Sequence, residues 1–143
     1  MSYWRLFYHI VWATRHREQF IDHQIAGLIR GEIDLTCRKY RAIPHAVGFM
    51  PDHVHLAISI PPRVAVSDLV GVIKGGTSLQ INSSNGPQKL EQFGWQSEFG
   101  VHSFSERSLA SVFTYVNNQV IHHRDGNLWS EYEIAETTPP NAR

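Results

Sequence analysis

Apolar and polar residues alternate most regularly over residues 53–60, where Val54, Leu56, Ile58 and Ile60 take every second position. Successive side chains of a strand point to opposite faces. The four aliphatic residues therefore share one face, and His53, His55, Ala57 and Ser59 share the other. Pro61 and Pro62 end this strand. Residues 5–13, rich in aromatic and β-branched side chains, predict another strand, followed by a charged turn over 14–18. Residues 43–49 predict a third, with Pro44 marking a strand start or an edge, and Met50-Pro51-Asp52 forms a turn into the histidine-bearing strand. One or two short strands are expected within 95–104.

Helical spacing governs three other segments. Over 22–39, Ile25, Leu28, Ile29, Ile33 and, less regularly, Leu35 recur at helical intervals behind Asp22, a suitable N-cap. Residues 67–82 predict a second helix, with Val66, Leu69, Val70, Ile73 and Thr77 in register. Gly71, Gly75 and Gly76 weaken it, and Gly75-Gly76 reads as a helix end before it reads as a hinge. Residues 82–94, containing Ser83-Ser84-Asn85-Gly86-Pro87, predict a loop. A third helix is expected over 105–123, stopped by Asp125-Gly126-Asn127. It carries an apolar stripe of Leu109, Val112, Phe113, Val116 and Val120, and a polar stripe of Tyr115, Gln119 and His122. The tail from about residue 128 reads as partly extended or disordered.

The order β-α-β-β-α-β followed by a helix predicts an α+β, ferredoxin-like fold: an antiparallel sheet with two helices on one face. The aliphatic face of 53–60 is expected to meet those helices. The histidine face is then left for the third helix and a substrate.

The 143 residues suit one domain, residues 1–143. No apolar run approaches the roughly 20 residues that span a bilayer. Met1-Ser2-Tyr3-Trp4-Arg5 lacks a basic end followed by a long apolar stretch, so the expected location is the cytoplasm, with no membrane association. Cys37 is the single cysteine, which excludes an internal disulfide and a thiolate metal cluster within one chain; it is expected to pack in the first helix. Thirteen basic residues balance thirteen acidic ones. That excludes a broad basic field but not a local basic groove.

Two constellations carry candidate chemistry. His53 and His55, at i and i+2 on one strand face, bring two imidazoles within reach of one divalent metal. The same pair also suits a solvated strand face, and His-x-His recurs in unrelated zinc hydrolases. Tyr115 and Gln119, one helical turn apart, can reach the same point in space; the same spacing suits an ordinary amphipathic boundary.

Taken together, Met50-Pro51-Asp52-His53-Val54-His55-Leu56 and the segment from Tyr115 through Gln119 to His122 and His123 resemble the single-tyrosine transposases of the HUH endonuclease superfamily. These include insertion-sequence transposases and relatives associated with repetitive extragenic palindromes. Tyr8-His9-Ile10-Val11-Trp12-Ala13-Thr14, Ile73-Lys74-Gly75 and Phe104-Ser105 are similar to other family segments, so the resemblance runs from about Tyr3 to His123.

The resemblance implies that His53, His55 and Gln119 are metal ligands and that Tyr115 is the nucleophile. It implies Mg2+ or Mn2+ as the ion, single-stranded DNA with hairpin ends as the partner, and a homodimer in which the tyrosine helix serves either its own or the partner's site. The implied reaction cleaves and rejoins DNA through a 5′-phosphotyrosine, without a nucleotide cofactor; no Walker-type phosphate loop occurs. Arg15, Arg17 and Lys74, with His16, are candidate phosphate contacts, although residues 15–17 equally suit a solvated turn. Trp95 and Phe99 suit either base stacking or the core. Gly94 and Gly100 flank the short strand and suit either ordinary loops or a swinging helix.

Three other readings compete: a domesticated hairpin-DNA-binding relative without transposition activity, a small-molecule phosphodiesterase, and an α+β interaction module. The phosphodiesterase needs further ligands, for which Asp52 is the one obvious candidate, and its place suits a turn former.

Overall fold

A computed structural model describes residues 2–84 and 92–119. Its element order is β1 (Phe7–Ala13), α1 (His23–Tyr40), β2 (Ile43–Met50), β3 (His53–Ser59), α2 (Val66–Ser84), β4 (Gly100–Phe104) and α3 (Leu109–Asn117). The four strands form one sheet in the order β2-β3-β1-β4, and every pairing is antiparallel. This is the split β-α-β-β-α-β arrangement expected from the hydrophobic pattern. The expected loop past Ser84, the end of the third helix with Val120, His122 and His123, its stop at 125–127 and the tail lie outside the described residues.

Asp22 caps α1, its Oδ1 accepting from the Ile25 N–H at 2.8 Å. Ile25, Ile29, Ile33 and Cys37, four apart, line the buried face of α1. Leu35 does not join them; it is 60% exposed, because the helical repeat carries it past the buried stripe. α2 runs uninterrupted through Gly71, Gly75 and Gly76 to Ser84, so Gly75-Gly76 is neither a helix end nor a break. Gly76 faces α1: a Cβ there would meet the Glu32 carboxylate. Its missing side chain permits the two helices to approach closely.

The main core lies between the sheet and this helix pair. Ile10 and Trp12 of β1, Val54, Leu56 and Ile58 of β3 and Val47 of β2 pack against α1 and against Leu69, Val70, Ile73 and Ile81 of α2. Trp95, which bridges to Thr14, and Phe99 pack against the same cluster. The Trp95 indole N–H donates to Thr77 Oγ1 at 2.8 Å. Both aromatics thus take the core role.

A second, smaller core occupies the other sheet face. Ala46 and Ala57 lie under Val112, Tyr115 and Val116 of α3, with Phe104 alongside. Strand β3 is in consequence buried along its whole length, the histidine face included. Helix α3 begins after a short 3-10 turn, Glu106–Ser108, and ends at Asn117, with Asn118 as its cap. Its first residue, Leu109, lies later than the start expected at 105. Phe113 is 44% exposed and leaves the predicted apolar stripe, while Tyr115 turns inward.

Cys37 is buried, as its helical position suggested. Burial pushes its thiol up to about 12, and the neighbouring Asp34 carboxylate acts in the same direction. Since the thiolate is the reactive form, a disulfide reagent at pH 8 is expected to leave the native protein essentially unmodified. In concentrated guanidinium it should react with one thiol per chain; rapid reaction of the native protein would contradict this packing.

Candidate active site

The inner sheet face concentrates the imidazoles. Register pairs His55 with Val11 and with Gly48, and His53 with Ala13 and with Met50. His9 of β1 sits opposite Ala57 and next to His102 of β4. Paired residues of antiparallel strands project to the same side, so His9, His53 and His55 all face α3. The rings of His53 and His55 are 5.0 Å apart. The rings of His9 and His55 stack at 5.1 Å, and His9 Nε2 lies 2.9 Å from His55 Nδ1.

Burial pushes His9 down to about 3, with His102 adding to the effect. His9 is therefore neutral near pH 7 and shares one proton with His55 along that contact. His9 was legible from sequence only as part of a strand. Its role as the neighbour of His55 depends on the β1–β3 register.

His53 has a different partner. Its Nδ1 lies 2.7 Å from Asp52 Oδ1. The other Asp52 oxygen, Oδ2, accepts from Arg17 Nε at 3.0 Å and lies 2.9 Å from Arg17 Nη2. The hydrogen bond with His53 holds the Asp52 carboxyl below its ordinary range; burial opposes this, and Arg17 reinforces it. Asp52 does sit in the β2–β3 turn, but its side chain belongs to the site.

Helix α3 closes the face. The Tyr115 ring is 6.0 Å from both His9 and His55, edge-on to each, and is 1% exposed. Tyr115 and His55 of the same chain are thus brought together. Gln119, just past the Asn118 cap, is also buried; its Nε2 donates weakly to the Tyr115 carbonyl at 3.4 Å. Its Oε1 is buried with no hydrogen-bond partner among the described residues.

Gly48 sets the height of this helix. A Cβ there would overlap the Val116 carbonyl oxygen and come 3.2 Å from Gln119 Cγ. Gly48 is the β2 partner of His55, so a bare backbone at this point lets Gln119 settle over the strand pair that carries the histidines. No periodicity in the sequence marks this glycine, and only the approach of α3 reveals it.

The donor set fits a divalent cation with neutral ligands. No group of three or more His, Cys, Asp or Glu able to hold a metal occurs among the described residues. The buried amide oxygen of Gln119 would serve as a third, neutral ligand. An unmet buried acceptor costs on the order of 1–3 kcal/mol, and a cation would satisfy it. With both Nδ1 atoms engaged, His53 and His55 would ligate through Nε2.

Arg15, Arg17 and Lys74, three of the candidate phosphate contacts, each make internal contacts. Arg17 holds Asp52. Arg15 lies over Gly94 and donates from Nη2 to the Gln92 carbonyl at 3.0 Å. Lys74 is half-buried, and its Nζ donates to the carbonyls of Gln96 at 2.6 Å and Glu98 at 3.2 Å. Gly94 accepts from the Arg15 N–H, and Gly100 pairs with Val11 inside the sheet.

Comparison with known proteins bears on this arrangement. The family model described as "Transposase IS200 like" matches residues 2–119. The ISDra2 transposase TnpA of Deinococcus radiodurans is 24% identical over 119 residues, covering 81% of this chain and 85% of that protein. The transposase for insertion sequence element IS200 of Salmonella typhimurium is 27% identical over 88 residues, 62% of this chain and 58% of its own. A crystal structure from Deinococcus radiodurans R1, described as a transposase, superposes with a TM-score of 0.64 at 25% identity, covering 83% of this chain and 95% of that one. A REP-associated tyrosine transposase bound to a REP hairpin has the same fold, with a TM-score of 0.64 at 19% identity over 86% of this chain and 74% of that one.

Gly48→Ala is expected to lift the C-terminal end of α3 off the sheet. Overpacking of this kind costs about 1–3 kcal/mol, readable in urea unfolding. Amide exchange in α3 should quicken while α1 and α2 stay protected. Unchanged stability and exchange would show that α3 does not need the bare backbone.

Proposed function

The chain belongs to the IS200-like transposase family and is a DNA transposase; from that premise we propose that it cleaves and rejoins single-stranded DNA with Tyr115 as nucleophile and a divalent metal held by His53, His55 and Gln119. The observation that carries the reading is the gathering of these four side chains on one sheet face, with the Tyr115 ring 6.0 Å from His55 of the same chain.

Tyr115 Oη forms a bond to the scissile phosphorus, and the bond from phosphorus to the 3′ oxygen breaks. The departing strand takes up a proton as a free 3′-hydroxyl, and the other strand stays on Tyr115 as a 5′-phosphotyrosine. Attack on that link by a 3′-hydroxyl rejoins DNA and returns the phenol. The link conserves the phosphodiester bond energy, so no nucleotide cofactor is required.

A bound Mg2+ or Mn2+ would polarise the phosphoryl group and orient the attack. His53 and His55 would present imidazole nitrogens to it, Gln119 would supply the amide oxygen, and all three would keep its double charge available to the substrate. A tyrosine has an ordinary pKa of about 10, so that charge also favours its anionic form. The fully covered position of Tyr115 keeps water from the nucleophile until the end of α3 lifts to admit DNA. DNA with hairpin ends is the proposed substrate and a homodimer the acting form, within the cytoplasm. The REP-associated neighbour, itself bound to a hairpin, lends support to the substrate through its shared fold.

Tyr115→Phe is expected to keep the fold and lose covalent attachment. The check is a denaturing gel of the protein with labelled single-stranded hairpins and Mn2+. A protein–DNA band that survives denaturant should form with Tyr115 and vanish with Phe. Persistence of the band in the variant would remove Tyr115 as nucleophile. Hairpin binding without any band in the unmodified protein would favour a domesticated DNA-binding relative.

A further inference from the structure

The β2–β3 turn carries an acidic side chain that the turn itself does not use. Asp52 serves the backbone through its carbonyl, which accepts from the Thr14 N–H at 2.9 Å and from Thr14 Oγ1 at 3.2 Å. Its carboxylate points elsewhere, with one oxygen on His53 Nδ1 at 2.7 Å and the other on the Arg17 guanidinium.

Arg17 reaches it from a constrained backbone. Both His16 and Arg17 have left-handed φ values, 58° and 56°, which non-glycine residues rarely adopt. The turn is pinned by Arg17 N–H donating to the Thr14 carbonyl at 3.0 Å and by Thr14 Oγ1 donating to the Glu18 carbonyl at 2.7 Å. Two segments far apart in sequence thus converge on one imidazole edge.

We propose that Asp52, braced by Arg17, is a positioning residue that keeps the proton of His53 on Nδ1, fixes the ring, and presents Nε2 to the catalytic cation. This rests on the metal reading of the site above. A carboxylate on the far nitrogen selects the ligating tautomer and strengthens the imidazole as a donor. His55 has a neutral imidazole, His9, in the equivalent place. The two histidine ligands are therefore unlike: one is backed by an anion, the other by an uncharged ring. Arg17 consequently acts inside the protein rather than on DNA phosphate.

The test uses the full chain and two readouts. Long-range 1H–15N correlation of the metal-free protein reads the His53 tautomer, and calorimetric titration with Mn2+ reads affinity. In the unmodified protein His53 should be protonated on Nδ1. Asp52→Ala should populate both tautomers and weaken Mn2+ binding by about 10–100-fold. Asp52→Asn retains an acceptor oxygen and the turn, so it should keep the tautomer and recover part of the affinity. Arg17→Gln should fall between Asn and Ala.

An unchanged tautomer and affinity in Asp52→Ala, or an Nε2-protonated His53 in the unmodified protein, would overturn the proposal. Should Asp52→Ala fail to fold, wild-type behaviour of both Asp52→Asn and Arg17→Gln in affinity would do so as well. A lack of Mn2+ binding by the unmodified protein would instead sink the metal reading, leaving the tautomer spectra to decide the role of Asp52 alone.

Discussion

Burial of β3 on both faces is the constraint from which the site follows. One face is aliphatic and meets α1 and α2; the other carries His53 and His55 and lies under α3. Imidazoles taken out of water must find partners, since an unmet buried polar group is costly. The fold meets that demand with His9 from β1 and with Asp52 from the turn. With the Nδ1 side of each ring engaged, the Nε2 side is the one that would meet the proposed cation. The same burial that makes the inner face part of the core thus orders its chemistry.

The second layer is thin. Ala46, Gly48 and Ala57 leave room for Val112, Tyr115 and Val116 of α3 to approach the strands. Small residues under a short helix allow close seating without a large hydrophobic anchor. Fewer buried apolar residues pack with α3 than with the pair α1 and α2, and elements with few such contacts are held less firmly.

Electrostatics points the same way. The chain is neutral overall, and Arg17, Lys74 and Arg15 are engaged with Asp52, backbone carbonyls and the Gly94 loop. Positive charge at the proposed centre then comes chiefly from the cation that His53, His55 and Gln119 would hold. Neutral ligands suit that division, because they leave its charge for the phosphate.

Much of this was legible in the sequence. Period-two alternation over 53–60 determined which residues share a face, and Asp22, Ile25, Ile29 and Ile33 marked α1, because strand and helix repeats are local properties of the backbone. The order of elements determined the split topology, and the pairing of the His53 and His55 motif with Tyr115 and Gln119 located the candidate site. Register, by contrast, is set by pairing across the sheet. Only the tertiary structure placed His9 on His55, turned the Asp52 carboxylate from an expected turn former into the partner of His53, and set Arg17 against Asp52. Only helix packing singled out Gly48, removed Phe113 from the buried stripe and carried α2 through its glycines. Each of these depends on contacts between residues distant in the chain, and side-chain spacing along one segment carries no information about them.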